Sequence, residues 1–263
     1  MNIRDYFAVP SHVATTTNMI VGLECEVEDL RGSYMTIPPG SYWNCIEDGS
    51  LRNNGREYVS IPMSKNVAAE QFNKLHNWLQ YQTADVSSRF SERTSVHVHV
   101  NCLSLEPEQV RSIILYYALF EPFFFSMVAP HRANNIHCVA LNQTHLSKYY
   151  NKELSTLKTL WSKYTALNIL PLAKYGTLEF RHMQGTDDQK LMEEWLNTLE
   201  NLWLFGQNNL ISKETVMNDE TIALCFESIF KDSKKVLSQR DTMMATISDS
   251  LIDIKLRFVQ GKS

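Results

Sequence analysis

Leu23, Cys25 and Val27 alternate with Glu24, Glu26 and Glu28, and this strict period of two constrains the chain more than any other feature. Successive side chains of a strand point to opposite faces, so one face here is apolar and the other carries carboxylates. The spacing predicts a strand over Met19 to Glu28. The same alternation returns in Ser95 to Leu103, where Val96, Val98 and Val100 oppose His97 and His99, and in Gly176 to Gln184, where Glu179 and Arg181 flank Phe180. Three such segments point to one sheet with a buried face and a functional face.

Tyr42 to Ile46 and Glu57 to Ile61 read as two further strands, joined as a hairpin by a long polar loop containing Asp48-Gly49. Ala68 to Ala84 places Phe72, Leu75, Trp78 and Leu79 on one helical face. A long apolar helix is expected over Glu106 to Val128, opened by Pro107 and kinked or interrupted at Pro122, with Phe123, Phe124 and Phe125 in the core. The polar stretch Ala129 to Ser155, with His131, Arg132, Asn134, Asn135, His137, Asn142 and His145, reads as an ordered loop region able to line a site. A helix from about Asp187 to Gly206 follows, then one or two more between Glu220 and Val259. The sum is an α+β fold, a mostly antiparallel sheet with helices packed on one side, rather than a repeating βαβ chain.

At 263 residues, 44% of them hydrophobic, the chain can bury one sizeable core, and a single domain over 1–263 is expected, with an N-terminal arm at 1–17 and a C-terminal helical extension at 207–263. Its 25 basic and 29 acidic side chains give a net charge of -4, too balanced for a general grip on nucleic acid. Cys25, Cys45, Cys102, Cys138 and Cys225 stand singly without a CxxC pair, which argues against a disulfide framework and a zinc ribbon and for buried thiols. Neither Met1 to Thr17 nor any later stretch holds the apolar run of a signal peptide or a span, so a cytoplasmic protein without membrane contact is expected. No GxGxxG or GxxxxGKS/T run marks a nucleotide loop.

Each functional pair has a bland alternative. Glu24 and Glu26 on one face repel each other, an arrangement that hard divalent ions such as magnesium relieve; alternatively, the face is simply solvated. His97 and His99 are placed to meet a metal or phosphate, or else form a hydrogen-bonded structural pair. Glu179 and Arg181 make an ion pair worth less than ~1 kcal/mol if exposed; in a cleft, the carboxylate can hold a metal and the guanidinium can clasp a phosphoryl group. Acids, imidazoles and a guanidinium on one sheet face suit phosphoryl transfer, which needs cations to bring phosphate and a substrate carboxylate together.

The ordered motifs Gly22-Leu-Glu-Cys-Glu, Trp43 with Asp48-Gly-Ser-Leu and Glu57-Tyr-Val-Ser, His97-Val-His-Val-Asn, Tyr164 with Asn168, and Thr177-Leu-Glu-Phe-Arg followed by Gly185-Thr186 resemble the amidoligase family. These are carboxylate-amine ligases related to glutamine synthetase and glutamate-cysteine ligase. The resemblance runs from about Gly22 to Trp195 and implies a glutamine-synthetase-like catalytic fold using ATP and magnesium, with manganese as a substitute. By that resemblance Glu24, Glu26, Glu57, His97 and Glu179 would hold metal, and Asp48 would join them or position substrate. His97, His99, Arg132 and Arg181 would approach the nucleotide phosphates, with Arg181 stabilising the transferred group. The implied partners are a carboxylate substrate and an amine substrate, including peptide, protein or cell-wall compounds, on a monomer or small homo-oligomer.

Two other classes compete. A metal-dependent hydrolase would use the same Glu and His face to activate water on zinc or manganese. A non-catalytic binding protein on the same fold would present Tyr42, Trp43, Tyr149 and Tyr150 as its ligand surface, against their plainer reading as core or rim aromatics.

Overall fold

The structure, a computed structural model, describes residues 1–10, 13, 16–31, 37–40, 42–83, 88–144 and 146–260. His145 and Ala84 lie outside them, as does the side chain of Tyr149. The strands are β1 (Ile20–Val27), β2 (Trp43–Glu47), β3 (Arg56–Ser60), β4 (Met63–Ser64), β5 (Ser95–Asn101), β6 (Leu167–Asn168) and β7 (Thr177–Gln184). They pair antiparallel in the order β2-β3-β1-β5-β7-β6, with β4 on the end of β1. The alternation in β1 does what it predicts: Val21, Leu23, Cys25 and Val27 are fully buried on the apolar face.

The helices are α1 (Ile3–Phe7), α2 (Lys65–Leu79), α3 (Pro107–Ser126), α4 (Leu154–Leu160), α5 (Leu172–Tyr175), α6 (Gln189–Asn208), α7 (Lys213–Met217), α8 (Asp219–Phe230), α9 (Lys234–Leu237), α10 (Met243–Thr246) and α11 (Ser248–Gln260). Helix α2 buries Ala68, Phe72, Leu75 and Leu79 against the apolar face and begins three residues before the apolar periodicity shows. Asp188 caps α6 by accepting from Lys190 N and Leu191 N, and the helix buries Trp195, Leu199 and Trp203. Helices α3 and α6 approach so closely at Gly206 that a Cβ there would lie 2.5 Å from Ile113 Cγ1. The Trp203 indole N–H closes the layer onto the sheet by donating to Asn101 O at 2.8 Å.

Helix α3 corrects the expected interruption, because it continues through Pro122 to Ser126. The missing N–H and the ring clash cost about 3 kcal/mol. Leu119, Phe120, Phe123 and Phe124 are each 1% exposed or less, and burial of each contributes about 1.5–3 kcal/mol, so the neighbours outweigh the proline. The C-terminal segment is also richer than expected, with four helices, α8 to α11, where one or two were read between Glu220 and Val259. Trp43 and Tyr150 are buried, which removes them from any aromatic ligand surface, whereas Tyr42 is exposed. Among the described residues no helix is long and apolar enough to cross a membrane.

Candidate active site

Helices α2, α3 and α6 take the apolar face of the sheet, which leaves the opposite face of β1, β3, β5 and β7 to the polar side chains. In register, Glu24 pairs with His97 and Val59, Gly22 with His99, Glu26 with Glu57, and His99 with Glu179. Four strands therefore deliver their alternate residues to one patch.

Glu24 is its centre. His97 Nδ1 lies 3.1 Å from Glu24 Oε2, and His99 Nε2 lies 3.1 Å from Glu24 Oε1. Glu24, Glu57 and His97 bring one ligand atom each within 4.8 Å of one another, as do Glu24, His99 and Glu179. Two carboxylate-imidazole groups thus share one glutamate. Burial opposes ionisation of Glu24, but the hydrogen bonds and charge of His97 and His99 outweigh it and hold its carboxyl well below the usual range. Glu57 goes the other way: burial, then the charges of Glu24, Glu26 and Asp48, push it up to about 8. Burial lowers the basicity of His99, but Glu24 and Glu179 more than restore it and raise the imidazole.

Glu26 stands beside these groups rather than within them. Its Oε2 accepts from Ser95 N–H at 2.8 Å and from the Ser95 hydroxyl at 2.7 Å, and Ser95 Oγ lies 2.8 Å from His97 Nε2. Asp48 Oδ1 accepts from Ser50 N at 2.8 Å at the turn between β2 and β3. Glu179 is buried, accepts from Asn168 Nδ2 at 2.7 Å through Oε2, and pairs through Oε1 with Arg181. The Arg181 Nε donates to His137 O at 3.2 Å, so the loop region after α3 does line the patch.

Arg132 is the residue whose placement differs most from its sequence reading. It is 2% exposed, and its guanidinium donates to His182 O at 2.9 Å and Arg181 O at 2.7 Å, contacts with backbone rather than with open space. The alternation missed Ser95 and Thr177, whose hydroxyl lies 3.0 Å from His99 Nδ1. Both sit two residues before a recognised member, Ser95 before His97 and Thr177 before Glu179, so one more step of the same period reaches them. Asn168 stood in a motif without a role, and its place beside Glu179 supplies one.

Two clefts lie on the helical side. One of about 410 Å³ is lined by Lys65, Glu70, Asn73, Glu193 and Asn197, and another of about 400 Å³ by Met19, Lys65, Glu200 and Trp203. Neither touches the acidic patch, and neither gathers more than one kind of reactive pair. Chemistry, not concavity, marks the site.

An antiparallel sheet backed by helices, with carboxylates, imidazoles and one guanidinium converging on its open face, is the class of protein that these features define. A family model described as "Putative amidoligase enzyme" matches residues 52–203, and the chain belongs to that family. No curated protein matches. Among solved structures, a bifunctional glutathione synthetase from Pasteurella multocida is similar at 10% identity and a TM-score of 0.49, covering 94% of this chain and 47% of that one. A GmaS/ADP complex is similar at 11% identity and a TM-score of 0.46, covering 91% of this chain and 70% of that one. Ligand-free GmaS gives 11% and 0.42, with 92% and 68% covered. The chain spans about half the length of the glutathione synthetase.

Proposed function

We propose that the chain is a carboxylate-amine ligase that couples ATP cleavage to amide formation. The observation that carries the reading is the sharing of Glu24 between two carboxylate-imidazole groups, with Arg181 ion-paired to Glu179 at their edge. The reaction this supports is attack of a substrate carboxylate on the ATP γ-phosphorus with loss of ADP, then attack of an amine on the acyl phosphate with loss of phosphate and a proton.

The donor set fits divalent cations. Carboxylate oxygens dominate it, and burial followed by the charges of Glu24, Glu26 and Asp48 pushes Glu57 towards its neutral form, which a cation would reverse. Glu24, Glu57 and His97 would hold one ion, and Glu24, His99 and Glu179 a second. Bound magnesium or manganese would offset the repulsion between phosphate oxygens and the incoming carboxylate. The protein's own part is positional. Asn168 fixes Glu179, Ser95 fixes Glu26 and contacts His97, and Arg181 presents a planar fork that suits a transferring phosphoryl group. Asp48, whose charge helps to raise the Glu57 carboxyl, would join the metal ligands or position substrate.

Imidazole in both groups is also compatible with a zinc hydrolase. Calorimetry separates the two readings. Wild type should bind a non-hydrolysable ATP analogue only with magnesium, and Glu24→Ala should lose that binding. Zinc binding with no nucleotide binding would replace the ligase with the hydrolase, and binding of neither would leave a non-catalytic module.

A further inference from the structure

The ladder between β5 and β7 skips a residue. Val96 pairs with Met183 and Val98 with Phe180, so the single residue His97 faces two, Arg181 and His182. A bulge of this kind re-aims a side chain and disrupts the ladder locally, so the carbonyls of the extra residues need other partners. Both find one in the same group: the buried Arg132 guanidinium donates through Nε to His182 O and through its terminal nitrogen to Arg181 O. The bulge is pinned from the apolar side as well, where His182 Nε2 meets the Tyr117 hydroxyl at 2.7 Å. Across the strand, the Arg181 N–H is held by Ala166 O at 2.8 Å.

We propose that Arg132 is a positioning residue, which clamps the Arg181-His182 bulge so that the Arg181 guanidinium meets the phosphoryl group in register, and that it does not bind nucleotide itself. The inference rests on the ligase reading for the role of Arg181, and on geometry alone for the clamp. Two successive carbonyls answered by one planar fork is an arrangement that an ammonium cannot reproduce. A shift of about 1 Å at a group that acts in the transition state costs on the order of 100-fold in rate.

Arg132→Lys and Arg132→Met should therefore be compared with wild type in three measurements. Peptide-resolved amide exchange should speed up by about tenfold or more in Thr177–Gln184 while Ile20–Val27 is unchanged, a local opening rather than global unfolding. Affinity for magnesium with a non-hydrolysable ATP analogue should stay within about twofold, while magnesium-dependent phosphate release from ATP falls on the order of 100-fold. Unchanged exchange in Thr177–Gln184 would remove the clamp. An affinity loss as large as the rate loss would make Arg132 a direct phosphate ligand, and wild-type phosphate release in both variants would overturn the positioning role. Should Arg132→Met fail to fold, Arg132→Lys, which keeps the charge but not the planar fork, decides. A wild type that binds no analogue defeats the ligase reading, and the exchange comparison still decides the clamp.

Discussion

Glu57 and Glu24 face each other from neighbouring strands with ligand atoms within 4.8 Å, and burial together with the charge of Glu24 pushes the Glu57 carboxyl up to about 8 while His97 and His99 keep Glu24 well below the usual range. On the proposed reading the pair belongs to a divalent site, and a proton on Glu57 stands in for part of the cation's charge. Occupation by a cation must expel that proton, because a protonated carboxyl is a poor ligand. Magnesium binding near pH 7 should therefore release protons, and affinity should rise with pH up to about 8, where Glu57 ionises unaided. Titration calorimetry in two buffers of different ionisation heat measures the release; heats independent of the buffer would refute the proton on Glu57. Glu24→Gln should bring the Glu57 carboxyl down, since the nearest negative charge is gone.

Asn168 should prove almost as important to the second ion as its ligands. The Nδ2 donates to Glu179 Oε2 and leaves Oε1 aimed at Arg181 and at His97, whose Nδ1 is 3.5 Å away. Partners that orient a ligand are worth about 10–100-fold in metal affinity. Asn168→Ala should weaken the tighter of two manganese-binding steps, or both, by that amount, with only about 1 kcal/mol lost in stability. Manganese titration followed by electron paramagnetic resonance reads this; unaltered binding would mean that Glu179 is held by Arg181 alone.

Much of this patch was legible in the sequence because the sheet has period two and so does the pattern. Glu24, His97, His99, Glu179 and Arg181 could be placed on one face without knowing which strands were neighbours. The pairing that sets Glu57 beside Glu24 was not legible, because strand order depends on long-range contacts that local alternation does not encode. The backbone partners of Arg132 were not legible for a related reason. An arginine in a histidine-rich loop looks like a phosphate ligand, and only the register skip opposite His97 shows that two carbonyls need it. The short strand β6 escaped because Leu167–Asn168 offers too few residues to show a period. The run through Pro122 was hidden because local sequence shows the proline and not the aromatic cluster around it.

Beneath the site, Glu121 should leave a signature in the pH dependence of stability. Burial pushes its carboxyl up to about 7, although the N–H groups of Leu141 and Asn142 and the Tyr117 hydroxyl all donate to it. A carboxyl raised in the folded state adds stability that is complete below its ordinary 4.5 and is lost as pH climbs through about 7. The amount is on the order of 3 kcal/mol. His76 and His182, both lowered by burial to about 3, act oppositely and lose stability as pH falls below 6.5. The wild-type curve therefore mixes opposing slopes, and the difference between wild type and Glu121→Gln isolates the carboxyl. That difference should favour wild type most at pH 5 and shrink towards pH 8 in urea denaturation; a difference constant with pH would show that Glu121 is ionised in the fold throughout.

Gly185 should tolerate no side chain, for a steric reason that reaches the acidic patch. Its N–H donates to Thr94 O at 2.8 Å, which joins the end of β7 to the residue before β5. A Cβ on Gly185 would lie 2.1 Å from Thr94 Oγ1 and 2.9 Å from Phe90 Cδ1. The threonine hydroxyl cannot easily turn away, because it accepts from Ser91 N at 3.0 Å and donates to Ser91 O at 2.9 Å. Gly185→Ala must therefore push the start of β5 outward, and Ser95, the next residue, carries the two donors on Glu26. Overpacking of this size costs about 1–3 kcal/mol. For a chain of this length that corresponds to a fall in Tm of roughly 2–12 °C. Magnesium affinity should fall with it, since the Glu26 carboxylate loses its anchor beside Glu57. A variant with wild-type Tm would show that the Thr94 hydroxyl gives way, and a lowered Tm with wild-type magnesium affinity would show that the strain stops before Ser95.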